Sequence, residues 1–169
     1  MSFLIYPHKF DACHLHFGTA VQNNDSDSKF ARIIYSTKYI SFNGVGIGLN
    51  FTGAKHEHHF NKIFVSFDAS IHANQALISR IRAIECEIIN KYVGSVLEGP
   101  RRCIYSLTEQ LNSECVKAYV NDNYGSGVSN DDSTANVILN TNGSQIMIKI
   151  SGVWETDDEC GITYKFVKC

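Results

Sequence analysis

Thiol and imidazole groups are the side chains in this sequence best suited to chemistry. Cys13, His14 and His16 lie near the N terminus, and Lys55-His56-Glu57-His58-His59 follows later. Together they offer ligands for a borderline metal, but neither spacing forms a zinc signature. The expectation is therefore structural or exposed histidines, with His14 and His16 on one strand face and residues 55–59 in a solvated turn. Cys86 falls in a helical pattern, where a thiol packs as a small apolar group. His72 has no sequence relation to a cysteine or serine that would make a triad. Asp157-Asp158-Glu159 can attract a divalent cation, yet the run reads as an acidic turn and not as an EF-hand. Gly44, Gly46 and Gly48 do not form G-x-G-x-x-G before an amphipathic helix, so a turn or a glycine-tolerant strand is expected. No catalytic residue, cofactor or metal is assigned.

Cationic residues interleaved with aromatic ones offer different chemistry. Lys38-Tyr39, Lys62 with Phe64, Lys117 with Tyr119, and Tyr164-Lys165-Phe166 all fall on strand-like segments. Such a surface holds single strands by phosphate attraction and base stacking. Alternation in a strand puts Lys62 and Phe64 on one face and Lys117 and Tyr119 on one face, but turns Lys165 away from Tyr164 and Phe166. The first two pairs are the stronger candidates. Arg101 and Arg102 extend the surface, or form a solvated basic turn. Trp154 either stacks on a base or, as the preferred expectation, anchors the terminal sheet against the helix. The candidate nucleic-acid-binding residues are thus Lys38, Lys62, Phe64, Arg101, Arg102, Lys117, Tyr119 and Trp154.

Gly152-Val153-Trp154-Glu155-Thr156, followed by Gly161-Ile162-Thr163-Tyr164-Lys165-Phe166, resembles segments of small replication-associated or uncharacterised proteins of large DNA viruses that carry strand-rich, single-stranded-DNA-binding domains. The resemblance covers under about 30 residues of terminal hairpin. It implies an OB-like fold, a part in viral DNA replication, and a host cytoplasmic or nuclear location. The expected function is non-catalytic binding of single-stranded DNA or RNA, and the competing one is a structural or assembly role, with a homo-oligomer as a further possible partner.

Composition bounds these readings. A 169-residue chain supports one sizeable core, and one domain spanning 1–169 is expected. The formal charge of -2 argues against indiscriminate polyanion binding. Residues 1–120 carry 12 Lys/Arg and 10 Asp/Glu, against 3 and 7 in residues 121–169, so a basic face is expected in the first part. Six cysteines without paired spacing, no recognisable leader, and no apolar run of about 20 residues suggest a soluble chain in a reducing intracellular compartment, away from membranes.

The elements that must position these residues follow from periodicity. Residues 31–42 read as one bulged strand or two short ones, and 62–67 and 116–120 as cleanly alternating strands. Leu77, Ile81, Ile84, Ile88 and Tyr92 mark an amphipathic helix over about 70–93, capped by Ser70 or Asp68 and stopped by Gly94. Its Arg82, Glu85, Glu87, Asn90 and Lys91 are expected to face solvent. Residues 104–115 read as a short helix or an irregular connection. Residues 121–136 suggest a flexible surface insertion, followed by a strand at 137–139 and a turn at Asn142-Gly143. Ile146, Ile148 and Ile150, then Ile162, Tyr164 and Phe166, predict a terminal hairpin. The expected fold is α+β: a twisted antiparallel sheet, or partly open β-barrel, packed against one amphipathic helix, with a β-sandwich as the alternative.

Overall fold

The computed structural model describes residues 4–24, 27–59, 62–97, 99–119 and 146–168. The expected 121–136 insertion, the 137–139 strand and the Asn142-Gly143 turn lie outside these residues. Twelve strands and two α-helices follow in chain order: β1 (Leu4–Ile5), β2 (Leu15–Phe17), β3 (Val21–Gln22), β4 (Lys29–Ser36), β5 (Ser41–Asn43), β6 (Val45–Leu49), β7 (Lys55–His59), β8 (Lys62–Ser66), α1 (His72–Ser95), β9 (Arg102–Ile104), α2 (Ser106–Asn112), β10 (Cys115–Tyr119), β11 (Ile146–Glu155) and β12 (Glu159–Lys168). Short 3-10 turns at Pro7–Lys9 and Ala12–His14 join β1 to β2. Of the described residues 46% lie in strands and 28% in helices, the 3-10 turns included, so the fold is strand-rich.

The terminal hairpin organises the sheet. Ile146, Ile148 and Ile150 are buried on one side of β11, as alternation demands. The register slips between Ile150 and Gly152, and beyond this bulge the buried positions become Val153 on β11 and Ile162 on β12. Each hairpin strand also changes its outer neighbour along its length. β11 pairs with β6 through Ile146–Ile150 and with β4 through Gly152–Glu155. β12 pairs with β9 at Glu159–Gly161 and with β10 at Phe166–Val167. β8 and β7 continue outward from β10, so the sheet curls into an open half-barrel. It is mixed and not purely antiparallel, because β1–β6, β9–β12 and β10–β12 run parallel. Long connections, including the two helices, bring the chain back in either sense.

Ile81, Ile84, Ile88, Ile89 and Tyr92 of α1 join Ile63, Val65, Val116, Ala118, Ile148 and Phe166 in one buried cluster. The helix is longer than its sequence signals imply. It begins after Ile71 without a side-chain cap and runs through Gly94. Asp68 instead accepts a 2.8 Å hydrogen bond from the Ser70 amide. Glu85 and Lys91 correct the expectation of solvent exposure. Glu85 is wholly buried and accepts from the Leu107 amide (3.0 Å), the Thr108 amide (2.9 Å) and Thr108 Oγ1 (2.6 Å). Its carboxylate satisfies the free donors that open α2. Lys91 Nζ donates to the carbonyls of Ala12 (2.6 Å) and Leu15 (2.8 Å).

The histidine segments depart from expectation, whereas the 31–42 and glycine-rich segments follow one of the expected alternatives. Residues 55–59 form an edge strand and not a turn, while His14 sits in a 3-10 turn and only His16 lies in β2. Residues 31–42 divide between β4 and β5, joined by a turn in which the Thr37 amide bonds the Ile40 carbonyl. The glycine-rich segment is structural: Gly46 and Gly48 belong to buried β6, and Gly44 has a positive φ of 80° that favours glycine.

Candidate nucleic-acid interface

The sheet face turned away from the α1 cluster carries the charge. Because directly paired residues share a face, registers assemble two rows from separate strands. The first row runs Glu57, Phe64 and Lys117 across β7, β8 and β10. It continues through Lys165 and Lys149 on β12 and β11. The parallel pairing of Ala118 with Phe166 brings the preceding residues, Lys117 and Lys165, to one level. The second row runs His59, Lys62, Tyr119, Val167 and Met147. Five strands about 4.8 Å apart make this face roughly 19 Å wide.

Four lysines against the single carboxylate of Glu57 give these rows a positive balance. Among the described residues the ion pairs are Arg80–Glu87 and Arg102–Glu159, and neither uses Lys62, Lys117, Lys149 or Lys165. Lys117 Nζ lies 5.4 Å from the centroid of the Tyr119 ring, and that ring is 41% exposed. Phe64 is half-buried, with the His59 ring edge-on at 5.5 Å. Met147 and Val167 form a buried apolar seam beside the cationic row. The arrangement can neutralise phosphates and offers Tyr119 as a stacking surface with an adjacent cation.

Lys62, Phe64, Lys117 and Tyr119 therefore meet on one face, as their alternation implies. Lys149 and Lys165 join them, although sequence reasoning passed over both. Alternation correctly turned Lys165 away from its aromatic neighbours. That same orientation brings it to Lys117, a relation visible only once β10 and β12 pair. Two of the four cations thus come from the acidic C-terminal part of the chain, contrary to the expectation from bulk charge.

The remaining candidates are placed elsewhere or engaged. Arg101 Nε donates to the Thr156 carbonyl at 3.0 Å, and the Arg102 amide donates to the Asp158 carbonyl at 2.8 Å. With the Arg102 side chain on Glu159, both arginines clasp the terminal turn and do not supply free cations to the face. Lys38 lies on the β4–β5 turn, 4.6 Å over the exposed Tyr39 ring and apart from the five-strand rows. Trp154 corrects the preferred anchoring role. Val153 takes the core position and Glu155 accepts from Tyr92 of α1 at 2.9 Å, while the indole rests on Gly161. A Cβ at Gly161 would come within 2.9 Å of Trp154 Cζ2, so glycine is what lets the ring lie on the strand. Phe30, paired with Trp154 across β4 and β11, lies over Gly152 in the same way.

Other chemical clusters are weaker. Among the described residues no three His, Cys, Asp or Glu side chains converge as metal ligands. His56 has both ring nitrogens buried without a hydrogen-bond partner, and burial, His58 and Lys168 hold its pKa below the ordinary value. A cleft of about 330 Å³ lies between Leu4, Tyr6, Lys9, His14 and Tyr35, away from the lysine rows. No described helix is long and apolar enough to cross a membrane. Compared with known proteins, the chain matches no family model, no curated protein and no solved structure.

Proposed function

We propose that this protein binds single-stranded nucleic acid without catalysing a reaction on it. The observation that supports this reading most is the convergence of Lys62, Lys117, Lys149 and Lys165 beside Tyr119 on one sheet face. Phosphates would lie along the lysines and a base would stack on Tyr119, with Phe64 beside Lys117 on the same face. Trp154 and Phe30 offer a second aromatic patch beyond the β11 bulge. An OB-like assignment and a part in viral DNA replication rest on the terminal-hairpin resemblance alone.

Binding to matched single-stranded DNA, single-stranded RNA, duplex DNA and a base-free polyanion tests the proposal. Single strands should bind more tightly than both the duplex and the base-free control, and affinity should fall as salt rises. Equal binding to the base-free control would reject stacking, and no binding to any of them would reject the function. Tyr39 and Ile40, 80% and 41% exposed on the β4–β5 turn, favour the competing reading of self-assembly. Mass measurement over a concentration series tests self-assembly, and because assembly through that turn is compatible with binding at the lysine rows, the two readings are separated only by the nucleic-acid binding series itself.

A further inference from the structure

We propose that Cys103 and Cys160 form an oxidation-sensitive dithiol that a hydroperoxide closes into a disulfide within the chain. The two cysteines are direct register partners on the adjacent parallel strands β9 and β12. Neighbouring strands lie about 4.8 Å apart, within the roughly 4.4–6.8 Å range of Cα separations that a disulfide spans. As direct partners they share a sheet face; the Cys103 thiol is directed to the Arg101 carbonyl at 4.0 Å. Cys160 is wholly buried, whereas Cys103 is only partly covered. Cys86 of α1 and Tyr105 belong to the same electrostatic neighbourhood, and the charges of Glu155 and Arg101 act on Cys160.

The difference in burial assigns an order. Burial, with Cys103 adding to it, pushes the Cys160 thiol up to about 11, so this sulfur stays protonated and shielded near neutral pH. Cys103 is the point of entry. Its sulfur attacks the peroxide and becomes a sulfenic acid, releasing water when the oxidant is hydrogen peroxide. The Cys160 sulfur then displaces the sulfenic hydroxyl, and its proton leaves with that hydroxyl as a second water. The peroxide is reduced by two electrons and the two thiols are oxidised by two. A neighbouring sulfur held in register makes this closure intramolecular and offsets the low acidity of Cys160.

The experiment treats the reduced full-length chain with hydrogen peroxide at low protein concentration, so that exposed Cys13 and Cys115 do not link chains. Free thiols are then alkylated, and intact mass and peptides are read. The proposal expects two fewer alkyl groups than on the reduced and alkylated chain, a Cys103–Cys160 linked peptide about 2 Da lighter than its two free-thiol peptides together, and recovery on reduction. Hydrogen exchange of the Arg102–Ile104 amides should slow in the oxidised form. Cys103→Ser should abolish the link and leave Cys160 alkylatable only after unfolding. Cys160→Ala, a small apolar replacement at the buried site, should let Cys103 proceed to sulfinic and sulfonic acids. Over-oxidation of Cys103 in the unsubstituted chain with Cys160 still free would overturn the proposal. So would a Cys86–Cys103 link in place of the expected one, or an unaltered loss of alkyl groups in Cys103→Ser.

Discussion

Arg80 and Lys91 on α1 carry the same charge as the four outer lysines of the sheet, but the two regions use it differently. Arg80 donates to the carbonyls of Pro7 (3.0 Å) and Phe10 (3.1 Å) and pairs with Glu87, while Lys91 holds the carbonyls of Ala12 and Leu15. These cations fasten the N-terminal 3-10 turns onto the helix. Lys62, Lys117, Lys149 and Lys165 take no part in an ion pair among the described residues. A cation already satisfied by backbone oxygens contributes to stability, whereas one outside any ion pair can exchange its hydration for phosphate. Charge type alone does not separate the two uses.

Substitutions that disturb each region should give opposite patterns. The largest loss is expected at the buried end of the helix-side network. Glu85→Ala removes the acceptor for three donors around α2 and should lower stability by about 3 kcal/mol, measured by denaturant unfolding. Glu85→Gln, which keeps one acceptor oxygen, should lose less. Lys91→Met leaves two carbonyls without their donor and should cost about 1–2 kcal/mol, while binding to single strands stays unchanged. A loss of binding in a folded Lys91→Met chain would break the division between the regions.

His56 should sharpen the contrast through pH. Its folded-state pKa lies below the ordinary 6.5, so the neutral ring is favoured by folding. Its contribution is present above pH 6.5 and is lost as pH falls through the depressed value. The protection factors of β7 and β8 amides, corrected for the intrinsic pH dependence of exchange, should therefore fall as pH drops below about 6.5, and His56→Leu should flatten that response. The smallest stability effect belongs to the sheet face. Lys165→Ala should change unfolding free energy by less than about 0.5 kcal/mol, yet reduce the salt dependence of binding by about 0.7 in log–log slope.

Local alternation made several features legible: the terminal hairpin, the 62–66 and 115–119 strands, and the shared faces of Lys62 with Phe64 and Lys117 with Tyr119. The isoleucine spacing of α1 likewise marked its buried side. Relations set by pairing between distant strands were not legible. Lys165 looked isolated because its cationic neighbours stand on β10 and β11, and the Cys103–Cys160 pair spans strands separated by α2, β10 and β11. Glu85 and Lys91 resembled solvent-facing charges because their partners are backbone groups, which no side-chain pattern announces. Trp154 missed the helix because the bulge after Ile150 and the adjacent glycines fix which side its ring occupies.

The most direct test of the central claim is the salt dependence of single-stranded DNA binding by Lys62→Ala/Lys117→Ala/Lys149→Ala/Lys165→Ala compared with the parent chain. Hydrogen exchange of α1 and the terminal hairpin establishes that the fold is retained. If all four lysines neutralise phosphates, the log–log salt slope should become shallower by about 3, and affinity at low salt should fall accordingly. A folded quadruple variant with the parent slope would contradict the assignment of this face.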